Sequence, residues 1–387
     1  MGFKKILPGK KLLLLVVFLV FGLAVLSCAP GGAQPKGWSG GTIADDTLFL
    51  GSMEGALVAV DILDGSRLWE IPFQTSKPSG GFNFGCVPGG STAVAIYGSP
   101  VLSGELVYIG GYNGKVYAVN ADSGAVKWQY PPETKDYLAP IVGSAVVALG
   151  MVYIGDSDGK VYALDAATGG KKWEFDESED TIWSTPAIDD DTLFIGSFDK
   201  KLYALNAVDG SKKWDFETEG AIVSTPVVHN NTVYFGSFDR HLYAVDATGG
   251  QQIWRFSENE EIGTQPGSWF WAKPVVYDNT IYAGNLDGKV YILNAETGKE
   301  KAGPIDLGSP ISSSPVLVNK SVVIAVEQGI IYALDTENNQ VRQLADMEEK
   351  VYGSLSGGGG SVYVHTEKDN LHAVDVQSGA QREFYIK

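Results

Sequence analysis

Chemistry in this chain would have to come from few residues. There are four histidines, His229, His241, His365 and His372, and two cysteines, Cys28 and Cys86. None of the histidines stands at metal-ligand spacing from a second histidine or a cysteine. The sequence has no P-loop and no G-x-G-x-x-G between a strand and a helix. The serines Ser312–Ser314 align with Ser184-Thr185 and Ser224-Thr225, which suits crowding near an axis better than nucleophilic attack. The remaining chemistry-bearing pattern is a side-chain oxygen after each apolar strand: Asp61, Asn120, Asp165, Asn206, Asp246, Asn294, Asp335 and Asp375. Metal ligands would have to converge, whereas these fall one per unit, and at 120–124, 165–169, 206–210 and 294–298 they open D/N-x-x-[TSD]-G, as in Asn206-Ala-Val-Asp-Gly210. The oxygen can accept backbone N–H groups inside a turn, and the Gly supplies the positive φ a hairpin needs. Turn capping is the expected role.

The elements behind these residues repeat. The stretch 195–216, IGSFDKKLYALNAVDGSKKWDF, returns closely at Ile109, Ile154 and Phe235. Successive markers are 59, 45, 41, 40, 48, 41 and 40 residues apart, so eight units fill residues 37–387. Each reads as four short strands; in the fourth unit these are 184–188, 192–197, 201–206 and 212–216. The third strand is apolar on both faces, which requires sheets stacked on sheets. The pattern predicts an all-β chain, an eight-bladed β-propeller of four-stranded antiparallel blades. A tryptophan eight residues after the marker, at Trp69, Trp128, Trp173, Trp214 and Trp254, is expected to wedge between neighbouring blades. In the last three units that spacing gives Ala302, Gln343 and Glu383, so those blades are expected to pack differently and less rigidly.

The N-terminus reads as an export signal. Lys4, Lys5, Lys10 and Lys11 precede the apolar run Leu12 to Leu26, and Ser27-Cys28 follows. At fifteen residues the run is short for a membrane-spanning helix, which needs roughly 20. It resembles a bacterial lipoprotein signal, with residues 1–27 removed and lipid attached to Cys28; an uncleaved anchor helix is the alternative. Residues 28–37 form a flexible tether and 38–387 the propeller. Loss of the four lysines takes the net charge from −17 to −21, which disfavours nucleic-acid binding. Cys86, left alone, is expected to be a buried small hydrophobe.

The pattern A-x-[DN]-x-x-[TS]-G-x-x-x-W at Ala118–Trp128 and Ala163–Trp173 resembles the repeat of PQQ-type propellers. That superfamily holds quinoprotein dehydrogenases and the BamB-like outer-membrane assembly lipoproteins. The dehydrogenases carry sequence beyond the blades, an adjacent cysteine pair and a calcium-supported base; this chain has no adjacent cysteines. The resemblance therefore implies a non-catalytic, cofactor-free scaffold. It would be anchored by lipid to the outer face of a bacterial membrane and bind an envelope protein or complex. A quinone- or sugar-binding PQQ-type enzyme and an extracellular ligand sensor are the alternatives.

Function should lie where the copies differ. Residues 74–97 form a Gly-rich insertion, the link 257–273 carries Trp269, Phe270 and Trp271, and the link 176–183 ends in Trp183. These rings are candidate partner contacts, or they plug the channel mouth. The same links carry Asp176, Glu177, Glu258, Glu260 and Glu261 as candidate partner-binding acids. The expectation is a disc with one distinctly acidic rim, either a solvated surface or a docking face for a cationic partner.

Overall fold

The computed structural model describes residues 37–73, 94–132, 137–258 and 268–384. The export signal, Cys28, Cys86, Glu260, Glu261 and residues 74–93 of the insertion lie outside them. Among the described residues the chain forms eight four-stranded antiparallel sheets, each built from four consecutive strands.

Blade four shows how the repeat folds. Its strands are Ala187–Asp189, Thr192–Gly196, Lys201–Asn206 and Lys212–Glu217. Leu193, Phe194 and Ile195 are buried, as are Leu202 to Leu205 on both faces of the third strand. The first strand begins later than the expected Ser184. Pro186 lacks an N–H for the ladder, and Ser184 donates instead to Ser224 O of the next blade, at 3.2 Å. First strands of neighbouring blades touch around a common axis.

No sheet borrows a strand from the opposite end of the chain. The ring is therefore held by packing across seams, and one contact recurs at them. At or one residue before the end of the second strand stands Gly51, Gly110, Gly155, Gly196 or Gly284. A Cβ added to these glycines would lie 2.5, 2.5, 2.3, 2.3 and 2.6 Å from Cγ2 of Ile96, Ile141, Ile182, Ile222 and Ile311 on the following blade. The isoleucine is a knob and the missing Cβ is its hole. Where blade eight meets blade one the bulk is exchanged. Gly37 stands at the isoleucine position and His365 at the glycine position. The His365 ring is nearly inaccessible; Nδ1 lies 3.0 Å from Ser39 O and Nε2 2.8 Å from Asp369 Oδ1. Asp369 Oδ1 also accepts Met53 N–H of blade one at 2.9 Å. The closing seam is thus a polar latch where most seams are apolar. Gly196→Ala should destabilise the fold by about 1–3 kcal/mol through overpacking, and adding Ile222→Ala should return part of that loss. Urea unfolding of the single and double variants checks this; equal stability of Gly196→Ala and wild type would contradict it.

The turn after each third strand behaves as its chemistry requires. Asp165 Oδ1 accepts Ala167 N–H and Thr168 N–H at 3.2 and 2.9 Å, and the other seven markers accept corresponding N–H groups. Lys172 and Thr168 hydrogen bonds hold the Asp165 carboxyl down to about 2. Bonds from Ser211 and Ser378 lower Asp209 and Asp375. His372 sits at the position that Tyr117, Tyr162 and Tyr203 fill elsewhere; burial pushes its imidazole below the usual range. All these groups bind fewer protons folded than unfolded, so their stabilisation is present at neutral pH and fades as pH falls. The histidine part fades from about pH 6.5 downward and the carboxylate part below about pH 4. Melting temperature should therefore fall in two limbs between pH 8 and 2, and His372→Tyr should remove the upper one. A wild-type melting temperature that stays flat from pH 7 to 5 would refute the histidine assignment.

Candidate functional site

The wedge residues separate architecture from site. The indole N–H of Trp69, Trp128, Trp173, Trp214 and Trp254 donates to Ala121, Ala166, Ala207, Ala247 and Ala295 O, at 2.7, 2.9, 2.9, 3.2 and 2.8 Å. Each acceptor directly follows the marker of the next blade. Each ring also covers that blade's turn glycine; a Cβ on Gly210 would lie 2.6 Å from Trp173. Blade six has Ala302 in this place, and the turn it faces carries Asn339 instead of glycine. In the last two blades the expected Gln343 and Glu383 are displaced by one residue. Register sets Arg342 and Arg382 opposite Ala333 and Ala373, where the other blades set tryptophan opposite alanine. Arg342 donates to Val376 O at 2.7 Å, and Arg382 donates to Ile62 and Leu63 O. The guanidinium serves the same carbonyl position as the indole. Trp173→Phe, which loses the N–H bond and a few ring atoms, should cost about 1–2 kcal/mol, and Trp173→Ala about 3–5 kcal/mol. Denaturant unfolding of both variants checks the ordering; equal costs would remove the ring's packing from the account, and a Trp173→Phe variant as stable as wild type would remove the hydrogen bond.

The rings that are not wedges gather at the end of the ring where the links meet the loops between second and third strands. Thr218 N–H, for example, bonds Lys200 O at 2.9 Å across that end. Trp183 stands edge-on to Phe198, with centroids 4.8 Å apart, and Phe198 edge-on to Phe238 at 6.2 Å. Phe238 stacks with both Trp269 and Trp271, at 4.8 and 5.5 Å. A second arc joins Tyr352, Trp38, Tyr97 and Tyr112, with centroids 4.9–5.7 Å apart. Tyr112 is exposed, whereas the other rings of both arcs are half-buried. Phe270 does not belong with them: it is buried against Phe256 and Tyr291 at the isoleucine position of its link. Sequence reading missed Trp38, Tyr97, Tyr112, Phe198, Phe238 and Tyr352. The signal was present, since Trp38, Tyr97, Trp183, Trp271 and Tyr352 share one position in the repeat.

The link acids lie beside this collar. Asp176 and Glu177 are exposed; Glu177 pairs with Lys212 at 2.9 Å. Glu258 pairs with Lys289, which lowers its carboxyl below the usual range. The single acidic rim needs correction. Asp46, Asp61, Glu105, Asp165, Asp191 and Asp209 occupy turns at the opposite end, so both ends are acidic. Carboxylates cap backbone N–H groups at both ends, Asp165 and Asp375 at one and Asp199 and Asp239 at the other, whereas Asp176 and Glu179 of the link are exposed.

Two features that resemble catalytic machinery are structural. Gly155-Asp-Ser-Asp-Gly159 has the spacing of a nucleophile elbow, yet it joins two strands, and Ser157 Oγ donates to Pro140 O at 2.7 Å. Asp156, raised by burial, accepts its own turn's N–H groups and the Tyr162 hydroxyl. Among the described residues no three His, Cys, Asp or Glu side chains converge on a metal-sized site.

The family model described as outer membrane protein assembly factor BamB matches residues 37–175 and 157–383. This chain belongs to the BamB family. The crystal structure of BamB from Moraxella catarrhalis is similar, with 18% identity and a TM-score of 0.66 over 90% of this chain and 94% of that one. A computationally designed protein, Ika8, is similar at 18% identity and a TM-score of 0.69, covering 91% and 97%. At that identity both likenesses concern the fold. No curated protein matches the chain. The fold is thus shared with both structures, while the collar is read from this chain's own residues.

Proposed function

We propose that this chain is a non-catalytic scaffold that docks another envelope protein in outer-membrane protein assembly. Export removes residues 1–27, and lipid on Cys28 anchors the propeller to the outer face of a bacterial membrane. The observation that carries the reading is the aromatic collar on a ring belonging to the BamB family. Half-buried rings on a rigid frame bury much area at little entropic cost, which is what anchors a protein interface. Trp183, Trp269 and Trp271 are the contacts; exposed Asp176 favours a partner segment carrying basic residues, for which Glu177 and Glu258 exchange their pairs with Lys212 and Lys289. Phe270 supports the collar from below and makes no contact.

Affinity purification of the full chain from detergent-solubilised envelopes tests this. An outer-membrane assembly component should co-purify, and Trp269→Ala/Trp271→Ala should lower its yield roughly tenfold with the melting temperature retained. Cys28→Ser should release the protein from the membrane fraction. Quinone absorbance with dye-reducing activity in the purified protein would overturn the scaffold reading.

A further inference from the structure

One step inside the collar, Lys273 is the odd member of an axial layer. At its repeat position the other blades carry Gly40 or a serine or threonine. Residues 269, 271 and 273 keep solvent contact, alternating with buried Phe270, Ala272 and Pro274, so Lys273 continues the line of Trp269 and Trp271. The layer is rich in free donors. Ser99 N–H donates to Ser144 Oγ at 2.8 Å, Ser144 N–H to Thr185 Oγ1 at 2.9 Å and Lys273 N–H to Ser314 Oγ at 3.2 Å. Each hydroxyl thus accepts from the preceding blade. Among the described residues none of these three gives its own proton to an acceptor. Ser312, two residues before Ser314, has a buried Oγ with no hydrogen-bond partner.

The cation is equally unspent. Lys212 and Lys289 are paired with link carboxylates, but Lys273 has no acid partner among the described residues. Burial pushes its ammonium below the usual lysine range although the residue keeps solvent contact. Both hold for a side chain that is enclosed by protein on most sides yet open to solvent along the axis. The first strands of blades six and seven also approach each other less closely at the axis than those of other neighbours do.

We propose that this layer binds a carboxylate carried on an apolar body. The carboxylate sits against Lys273 Nζ and takes hydroxyl protons from Ser314 and Ser312; the apolar body packs on Trp271 at the mouth. One ammonium neutralises one negative charge, and the acids around the collar penalise a dianion such as phosphate. The free acid of a small molecule and the C-terminal carboxylate of a peptide present the same group. The site stands whether or not the collar also docks a protein.

Tryptophan fluorescence titration of the full chain would use hexanoate, hexanamide, and a leucine-ended pentapeptide with a free or an amidated C-terminus. At least one carboxylate probe should bind at millimolar or tighter affinity, and its amide at least tenfold more weakly. Lys273→Met should lose at least tenfold, and Ser314→Ala several-fold, with unchanged melting temperatures. Binding should fade as pH rises, below the pH at which an ordinary lysine titrates. Preference for the peptide assigns the carboxylate to a chain terminus, and preference for hexanoate to a free acid; either supports the site. Equal binding of carboxylate and amide, an unaffected Lys273→Met, or no binding of any probe would overturn it. Lys273→Arg, which keeps the charge, separates the ammonium's role from side-chain bulk: it should retain more affinity than Lys273→Met.

Discussion

The ring depends on a contact smaller than any of its hydrogen bonds, the isoleucine methyl of one blade seated where the next glycine lacks a Cβ. With no strand shared between the ends of the chain, each sheet is complete by itself. The angle between blades is then fixed by contacts across the seams, this packing together with the indole-to-carbonyl bonds at the outer edge. A knob that admits no extra atom sets that angle tightly, because interiors are close-packed and overfilling is costly. At the closing seam the same space is filled from the other side by His365, whose nitrogens find Ser39 O and Asp369. A ring must close on itself, and a polar latch with directional partners specifies which blades are the ends.

The outer edge obeys a related rule. Tryptophan covers the next blade's turn glycine and bonds the carbonyl beside it. Where tryptophan is absent at Ala302, the facing turn is released from glycine and carries Asn339. Arginine takes over the carbonyl in the last two blades because a planar donor on a long stem can reach it. Seam and edge together explain the persistence of glycine at so many equivalent positions: at the seam it makes room, and at the edge it makes room and adopts positive φ.

Architecture on this scale leaves function to positions released from the repeat. The collar and Lys273 occupy repeat positions near the axis, outside the core between the sheets, where identity is free to vary. That freedom explains how one layer holds hydroxyls in six blades and an ammonium in another.

Much of this was legible in the chain itself. Period, strand number, turn caps and the first five wedges follow from local chemistry, since a turn or a doubly buried strand is decided within a few residues. Tertiary structure alone decided what depends on register and on neighbours. Spacing from the marker named Gln343 and Glu383, but strand pairing set Arg342 and Arg382 opposite the alanines, because the bulge that adds a residue in other blades is absent or displaced there. Phe270 and Trp271 are adjacent in sequence, and only the alternation of an extended segment sends one into the core and the other to the mouth. The balance of charge between the ends was likewise hidden, since turn and link acids look alike until the order of strands assigns each to an end.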